Sequence, residues 1–323
     1  MTWLITGGAG YIGAHVVRAL ADAGMPAVVL DDLSTGDADH LPSGVPLVHG
    51  SVLDRELLDR VLREHGIEGV VHFAAKKQVG ESVERPLWYY RQNVEGLRTV
   101  LEASTAGGVR SFVFSSSAAV YGMPDVDLVT ERTPCEPMNP YGHTKLAGEW
   151  LVSAVGRAHG MATASLRYFN VAGAAAPELS DPGVFNIVPM VFDRLTSGLP
   201  PRIFGADYPT PDGTCIRDYV HVADVASAHV AAARRLAEDP QADLVLNIGR
   251  GEGVSVAEMV AMLQEVSGHT GTTPEVVERR PGDPARVIAS ADLINKELGW
   301  SAAHGVDDMV TSAWAGWQLR HPR

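Results

Sequence analysis

The sequence predicts a doubly wound α/β fold, in which a parallel β-sheet is covered by helices on both faces. Short apolar runs alternate with helical stretches: TWLIT, YIGAHVVRALADAG, PAVVLDD, GVVHFAA, a helix near 86–106, and RSFVFSS. The strand runs are continuously apolar, which is typical of parallel strands buried on both faces. Their alternation with helices indicates repeated βαβ units.

The first strand leads directly into a glycine loop, GGAGYIG at 7–13, which opens a helix. This is the context in which Gly7, Gly10 and Gly13 allow the backbone to turn tightly and to approach a pyrophosphate at a helix N-terminus. Asp31 and Asp32 end the second strand, about twenty residues further on, where a carboxylate accepts from ribose hydroxyls. The loop and the acid together predict an NAD-binding Rossmann domain.

The alternation of strands and helices ends near residue 173, where the sequence becomes rich in Pro and Gly. A second, smaller substrate-binding region is expected to begin there. DLVLNIG at 243–249 again has the pattern of a buried strand and is expected to return to the first sheet. We therefore predict that 1–172 and about 219–249 form the NAD-binding domain, and that 173–218 and about 250–323 form the second, smaller domain.

Composition and charge narrow the class of partner. The 323 residues are 46% hydrophobic and 20% charged, with a formal net charge of −13 and a pI near 5.3. We expect no nucleic-acid partner and no anionic membrane surface. The two cysteines, Cys135 and Cys215, lack CxxC spacing, so we expect no metal site and no disulfide framework. Without a leader-like or spanning segment, the expected location is cytoplasmic.

NPYGHTK at 139–145 predicts a helix start with two reactive side chains on one face. Asn139 is a good N-cap, and Pro140 suits the first helical position. Tyr141 and Lys145 are four residues apart and therefore share a helix face. An ammonium beside a phenol favours the phenolate, so we expect a lowered Tyr141 pKa and a general base. Taken alone, however, YxxxK is more typical of a surface helix.

Three motifs in this order, the glycine loop, FSSSAAVYG at 114–122 and YGHTK at 141–145, resemble the extended short-chain dehydrogenase/reductase superfamily. The blocks FAAKKQVGES, NPYGHTK, LRYFNVAGA, RIFGADYPTPDGTCIRDYVHV and RPGD resemble those of the UDP-glucose 4-epimerase family over nearly the whole chain. The resemblance implies interconversion of UDP-galactose and UDP-glucose by transient oxidation at C4 with tightly bound NAD. It also implies a homodimer formed through helices of the cofactor domain.

The resemblance also implies the residues of the site, by position in this chain. The catalytic residues would be Ser117, Tyr141 and Lys145. The cofactor residues would be Gly7, Gly10, Tyr11, Ile12, Gly13, Asp31, Asp32, Leu33, Ser34, Ser51, Val52, Phe73, Ala74, Ala75, Lys77, Asn93, Ser115, Tyr141, Lys145 and Tyr168. The substrate residues would be Lys77, Ser117, Tyr141, Asn170, Asn186, Phe204, Arg217, Arg280, Asp283 and Val287.

Two residues depart from the family pattern at the cofactor. Ser51 stands where the family usually has an acidic residue that contacts adenine, and Asp32 stands where it usually has Asn. We expect both to weaken NAD binding, because one removes an acceptor and the other adds a negative charge near the pyrophosphate. Lys76 is interpreted as a neighbour of the site residue Lys77.

Competing functions are distinguished by the residues after Ser117. A nucleotide-sugar 4,6-dehydratase needs an acid and a base there, and this chain has Ala118 and Ala119, which cannot transfer protons. The alternatives that remain are a UDP-glucuronate decarboxylase or epimerase, and a non-catalytic NAD-binding sensor. The presence of Ser117, Tyr141 and Lys145 together favours an enzyme.

Val287, four residues after Asp283, is expected to influence which sugars fit. In the family a tyrosine here closes the space beside the sugar C2 substituent, and a smaller residue leaves it open. We therefore predict activity on the N-acetylated UDP-hexoses as well. Two alternatives remain: a register shift of one residue would place Arg286 at this position, or Val287 is a core strand residue.

Overall fold

The computed structural model describes residues 1–280 and 282–322. The strands are β1 (Thr2–Thr6), β2 (Ala27–Asp31), β3 (Leu47–His49), β4 (Ile67–His72), β5 (Ser111–Ser115), β6 (Ala162–Tyr168), β7 (Asn170–Ala172), β8 (Arg202–Phe204), β9 (Ile216–His221), β10 (Asp243–Ile248), β11 (Gly253–Ser255), β12 (Glu275–Val277) and β13 (Arg286–Val287). The helices are α1 (Tyr11–Asp22), α2 (Arg55–Glu64), α3 (Val79–Glu84), α4 (Pro86–Tyr89), α5 (Gly96–Ala106), α6 (Pro140–His159), α7 (Ile187–Thr196), α8 (Val222–Glu238), α9 (Val256–Ser267), α10 (Asp292–Leu298) and α11 (Val306–Arg320).

A seven-stranded parallel sheet in the order β10-β6-β5-β4-β1-β2-β3 forms the centre of the fold. Alternate residues of each strand point to opposite faces, and both faces are buried. Ile5 and Val29 belong to the core beneath α1 and α8, whereas Leu4 and Val28 belong to the core beneath α2 and α5. Burial on both faces is the reason the strands are continuously apolar. The predicted doubly wound α/β fold is confirmed.

The sheet changes winding direction at β1. β2 and β3 extend to one side of β1, while β4 lies on its other side and β5 and β6 follow. In a sheet of this kind the loops after the strands diverge at the reversal and leave a crevice at the carboxyl ends. The loops after β1, β2 and β4 therefore meet at one edge.

Further strands lie outside the central sheet. β9 pairs with β7, β11 and β13, and β8 pairs with β12. Phe192 of α7, Leu263 of α9 and Met309 of α11 share a separate apolar core beside β9. The 243–248 strand, by contrast, pairs in parallel with β6 in the central sheet.

No helix in 1–280 or 282–322 combines the length and the apolar character needed to cross a membrane. In the same ranges, no group of three or more His, Cys, Asp or Glu side chains is arranged to hold a metal ion.

Candidate functional site

A cavity of about 370 Å³ opens at the carboxyl edge of the sheet, where the winding direction reverses. Its wall includes residues that follow β1, β2, β3 and β4 and residues of α6. Most of the predicted cofactor residues line it: Gly7, Gly10, Tyr11, Ile12, Gly13, Asp31, Asp32, Ser34, Ser51, Val52, Phe73, Ala74, Ala75, Lys77, Tyr141, Lys145 and Tyr168.

The glycine loop brings backbone segments into direct contact. Gly7 has a φ of +72°, and a Cβ there would lie 2.7 Å from the amide nitrogen of Ala74. A Cβ on Gly13 would lie 2.2 Å from the Gly7 carbonyl oxygen. Gly10 precedes α1 without a side-chain cap, so N–H groups of the first turn remain available to a ligand. This cradle fits the diphosphate of a dinucleotide.

The carboxylate of Asp31 is held by the backbone on either side of the crevice. It accepts from the amide of Ala9 at 2.9 Å and from the amide of Leu33 at 2.9 Å. Burial raises the pKa of Asp31, and these two bonds oppose the rise. Leu33 itself has a positive φ of 53° and does not line the cavity. The turn after β2 therefore aims the carboxylate inward.

Lys76 lines the cavity and was missed as a site residue by sequence reasoning. Its Nζ donates to the Ser34 hydroxyl at 2.7 Å, and that hydroxyl donates to Asp32 at 2.6 Å. Burial opposes ionisation of Asp32, but the bonds from Ser34 and the Lys76 charge outweigh it and lower the pKa. Asp32, the acidic residue that departs from the family pattern, is therefore balanced by the nearby Lys76 ammonium. Lys76 could have been identified from the predicted fold, because the loops after β2 and β4 lie close together in a doubly wound sheet.

Tyr141 and Lys145 lie on the buried face of α6, whose start at Asn139 follows the prediction. The Asn139 side chain accepts from the Gly142 amide at 2.9 Å and caps the helix. Tyr141 is 7% exposed and Lys145 is 3% exposed, so this is not a surface helix pair. The Lys145 Nζ donates to the Ser115 carbonyl at 2.7 Å and lies 5.9 Å from the centre of the Tyr141 ring.

The expected lowering of the Tyr141 pKa is corrected by the structure. Burial raises the pKa of the phenol, and the Ser117 hydroxyl opposes the rise only in part. Burial also lowers the pKa of Lys145 to about 8, against the attraction of Glu149. Desolvation of the two side chains therefore outweighs the stabilisation of the Tyr141 phenolate by the Lys145 ammonium, which the i, i+4 spacing suggested.

Two predicted cofactor residues other than Leu33 lie off the cavity wall. The side-chain amide of Asn93 forms hydrogen bonds with the backbone of Lys76 and with the Thr144 hydroxyl, at 2.8–3.0 Å. The Ser115 hydroxyl contacts His229 Nε2 at 3.0 Å. Both side chains therefore support the wall from behind.

All the predicted substrate residues except Lys77 and Tyr141 lie off the wall of this cavity, and four of them, Asn170, Arg217, Asp283 and Val287, lie on or beside β9. Arg217 donates to Asp283 at 3.2 Å, and Val287 pairs with Arg217 between β13 and β9. The Arg280 guanidinium lies 3.8 Å from the centre of the Phe204 ring. Pro281, within the RPGD block, lies outside the described residues.

Two asparagines complete this set. Asn170 is exposed at the start of β7. Asn186 caps α7 and donates to Asp181 at 2.7 Å.

The segment before α7 supplies cavity residues that sequence reasoning missed. Asp181, Pro182, Gly183 and Phe185 line the cavity. Phe185 is 57% exposed, although it is a large apolar side chain. No local pattern marked this Pro- and Gly-rich stretch, since its role depends on the path of the chain after β7.

The fold and the site define an NAD-binding enzyme of the short-chain dehydrogenase/reductase type. The chain belongs to the NAD dependent epimerase/dehydratase family, whose model matches residues 3–249. A UDP-glucose 4-epimerase from Azospirillum brasilense is 46% identical over 319 residues, which cover 98% of this chain and 91% of that protein. The resemblance predicted from the motifs is therefore confirmed along nearly the whole chain.

Solved structures agree with this assignment. A UDP-glucose-4-epimerase from Stenotrophomonas maltophila, with bound NAD and formylated UDP-arabinopyranose, has a TM-score of 0.93 and 38% identity and covers 99% of this chain and 98% of its own. A UDP-glucose 4-epimerase from Bifidobacterium longum, in complex with NAD+ and UDP, has a TM-score of 0.91 and 36% identity and covers 100% and 99%. The predicted cofactor, NAD, is thereby confirmed.

Two glycine variants should separate the structural role of the loop from its contact with the cofactor. Gly13→Ala places a methyl against the Gly7 carbonyl, and overpacking of this kind costs about 1–3 kcal/mol. We expect a lower Tm for cofactor-free Gly13→Ala. Gly10→Ala is the matched control, since its Cβ would lie 3.4 Å from the same oxygen, and it should mainly weaken NAD binding. Equal Tm losses in the two variants, measured by scanning calorimetry, would contradict this division.

Proposed function

We propose that this chain interconverts UDP-galactose and UDP-glucose by transient oxidation and re-reduction at C4 of the sugar. The observation that carries the proposal is the buried pair Tyr141 and Lys145 on the wall of the NAD cavity. Ser117 lies close enough to Tyr141 to influence its pKa. The match to UDP-glucose 4-epimerases over nearly their full length supports the same reaction.

Tyr141 acts as the base and then as the acid of this reaction. When bound, oxidised NAD would supply the hydride acceptor for C4 of the sugar. Tyr141 takes the proton of the 4-hydroxyl as C4 is oxidised, and returns it after the 4-keto sugar has turned in the site. Lys145 favours the phenolate, against the burial that raises the Tyr141 pKa. Ser117 hydrogen-bonds the same sugar oxygen.

The cofactor would be held chiefly by backbone groups and one carboxylate. We assign the pyrophosphate to the cradle of Gly7, Gly10 and Gly13, and the ribose hydroxyls to Asp31. Two backbone amides already orient the Asp31 carboxylate, whose remaining lone pairs are available to hydroxyl donors. A carboxylate in this position disfavours the additional phosphate of NADP.

The nucleotide-sugar diphosphate needs local cations in a chain with a net charge of −13. Arg217 and Arg280 are proposed to supply them, together with the amides of Asn170 and Asn186. Phe204, covered by Arg280 at 3.8 Å, is proposed to lie against the uracil. On this basis 1–172 and about 219–249 serve the cofactor, and 173–218 and about 250–323 serve the nucleotide sugar.

Purified protein should convert UDP-galactose into UDP-glucose without added NAD, because the hydride returns to the sugar from which it came. Tyr141→Phe should lower kcat about 10²–10⁴-fold with NAD content and circular dichroism unchanged. The conversion and the kcat of each protein are measured by chromatographic separation of the two UDP-sugars. Near-normal turnover by the Phe variant would remove Tyr141 from the chemistry.

Other products would identify other reactions of the same site. A stoichiometric oxidised sugar, or strict dependence on fresh NAD, would contradict the epimerase proposal. Release of CO₂ from UDP-glucuronate would instead identify a decarboxylase.

The sugar pocket is proposed to accept N-acetylated UDP-hexoses because position 287 is valine rather than tyrosine. Val287 is half-buried and packs against the core cluster that contains Tyr121 and Phe169. We expect Val287→Tyr to lower kcat/KM for the N-acetylated pair more than for UDP-glucose and UDP-galactose. An unchanged ratio, or no N-acetyl activity in the wild type, would exclude this residue as the gate.

A homodimer is proposed through the face formed by α3, α4 and α6. Leu87 is 86% exposed and Trp150 is 66% exposed, and Val83 and Tyr90 are exposed beside them on neighbouring elements. Exposed apolar side chains grouped in this way mark an interaction surface. Leu87→Asp should convert a dimer into a monomer in analytical ultracentrifugation, whereas Leu199→Asp, at an exposed leucine in a loop elsewhere, should not. A monomeric wild type would contradict the proposal.

A further inference from the structure

Glu149 is a buried carboxylate on α6, one helical turn after Lys145, with a side chain that is only 4% exposed. Its two oxygens accept from Arg167, from Nε at 2.9 Å and from Nη2 at 2.5 Å. The Ser116 hydroxyl also donates to Oε1. The carboxylate is therefore fully hydrogen-bonded inside the protein, beside a lysine that the proposed chemistry requires.

The ion pair joins α6 to the segments that carry the other site residues. Arg167 lies on β6 and also donates to the Tyr121 hydroxyl at 2.8 Å. That hydroxyl donates to Asn247 of β10 at 2.7 Å. Ser116 precedes Ser117, and Tyr121 ends the short helix after it. One polar network thus holds α6, β6, β10 and the Ser117 segment together.

Stability alone does not account for a buried ion pair in this position. Removing two charges from water costs several kcal/mol per ion, and well-packed apolar replacements are often equally stable. Glu149 and Arg167 are both almost completely buried. A role in the neighbouring site is a more specific explanation of the charge on Glu149.

Lys145 is itself a buried cation with few polar contacts. Its ammonium lies against the Ser115 carbonyl and the Phe114 ring on β5, and against Tyr141 on its own helix. His72 on β4 also faces it, with a pKa lowered to about 3 by burial and by the Lys145 charge. None of these neighbours supplies a carboxylate to balance the ammonium.

Further titratable groups lie around the ion pair, among them Glu131, whose carboxylate accepts from the Asn247 backbone amide at 2.8 Å. Burial raises the pKa of the Tyr168 phenol on β6 and of the Cys135 thiol beside Arg167. It lowers the pKa of His229 on α8 to about 4. Glu149, four residues after Lys145 on α6, favours the charged form of Lys145, whose pKa burial lowers to about 8.

We propose that Glu149 is a positioning residue that keeps Lys145 protonated at neutral pH and holds α6 against the Ser117 segment. The proposal rests on the proposed roles of Tyr141 and Lys145 for its catalytic consequence. Its electrostatic part concerns the charge of Lys145 alone. Arg167 serves to hold the Glu149 carboxylate in place.

The sequence makes a direct measurement possible, because the chain contains only four lysines, Lys76, Lys77, Lys145 and Lys296. Protein labelled with ¹³C at the lysine Cε is titrated by NMR, and Lys145→Met identifies the Lys145 signal. The Lys145 ammonium and the Glu149 carboxylate bind neighbouring residues of one segment, the Ser115 carbonyl and the Ser116 hydroxyl. An opposite charge within about 4–6 Å shifts a pKa by about one unit or more, so we expect the Lys145 titration to move to lower pH by about that much in Glu149→Gln. The alkaline limb of the kcat/KM pH profile should shift to lower pH by a similar amount.

Arg167→Lys is the matched control, because it disturbs the same ion pair but leaves the Glu149 carboxylate in place. It is expected to lower Tm without lowering the Lys145 titration. If Glu149→Gln does not fold, Glu149→Gln combined with Arg167→Met removes both charges, and the Lys145 titration should still fall. An unchanged titration in either Glu149 variant, or an equal shift in Arg167→Lys, would overturn the proposal.

The two proposals fail in different ways. Absence of epimerase activity in the wild type would refute the proposed function and leave the NMR comparison intact. An unchanged Lys145 titration in an active enzyme would refute only the role of Glu149.

Discussion

The close approach of backbone segments at the end of β1 is the constraint on which the site depends. Gly7 donates to the Leu30 carbonyl at 2.8 Å, and its missing Cβ leaves space for Ala74 after β4. Gly13 in turn packs on the Gly7 carbonyl. These contacts hold the ends of β1, β2 and β4 and the start of α1 close together. The protein's own backbone packing therefore holds the cofactor cradle in shape, which reduces the ordering cost of binding.

Desolvation also controls the protonation of the site residues. The buried face of α6 places a phenol and an ammonium where each resists ionisation: the pKa of Tyr141 is raised and that of Lys145 is lowered to about 8. A base in such an environment depends on neighbouring charges for its protonation state. The Glu149–Arg167 pair brings a negative charge to this region without exposing it to solvent.

The distribution of lysine also favours anionic ligands at the cavity. The chain has a net charge of −13, yet three of its four lysines, Lys76, Lys77 and Lys145, line this one cavity. Local cations in an acidic protein attract a dinucleotide or a nucleotide sugar to this cavity. Lys76 adds a second effect, because through Ser34 it balances the unusual Asp32.

The sequence by itself determined the features that depend on local geometry. Continuous apolar runs predicted the buried parallel strands, the glycine spacing after β1 predicted the cofactor loop, and Asn139 with Pro140 predicted the start of α6. Side-chain direction along a helix or strand follows from a few neighbouring residues, so the shared face of Tyr141 and Lys145 was also predictable.

Only the tertiary structure decided the properties that depend on distant contacts. The Tyr141 pKa is raised because residues far along the chain exclude water from the phenol. Lys76 meets Ser34, 42 residues away, because the loops after β2 and β4 both flank the end of β1. Glu149 meets Arg167 because α6 packs on β6 in one register. Burial and long-range pairing are set by the packing of whole elements, and no local pattern in the sequence records them.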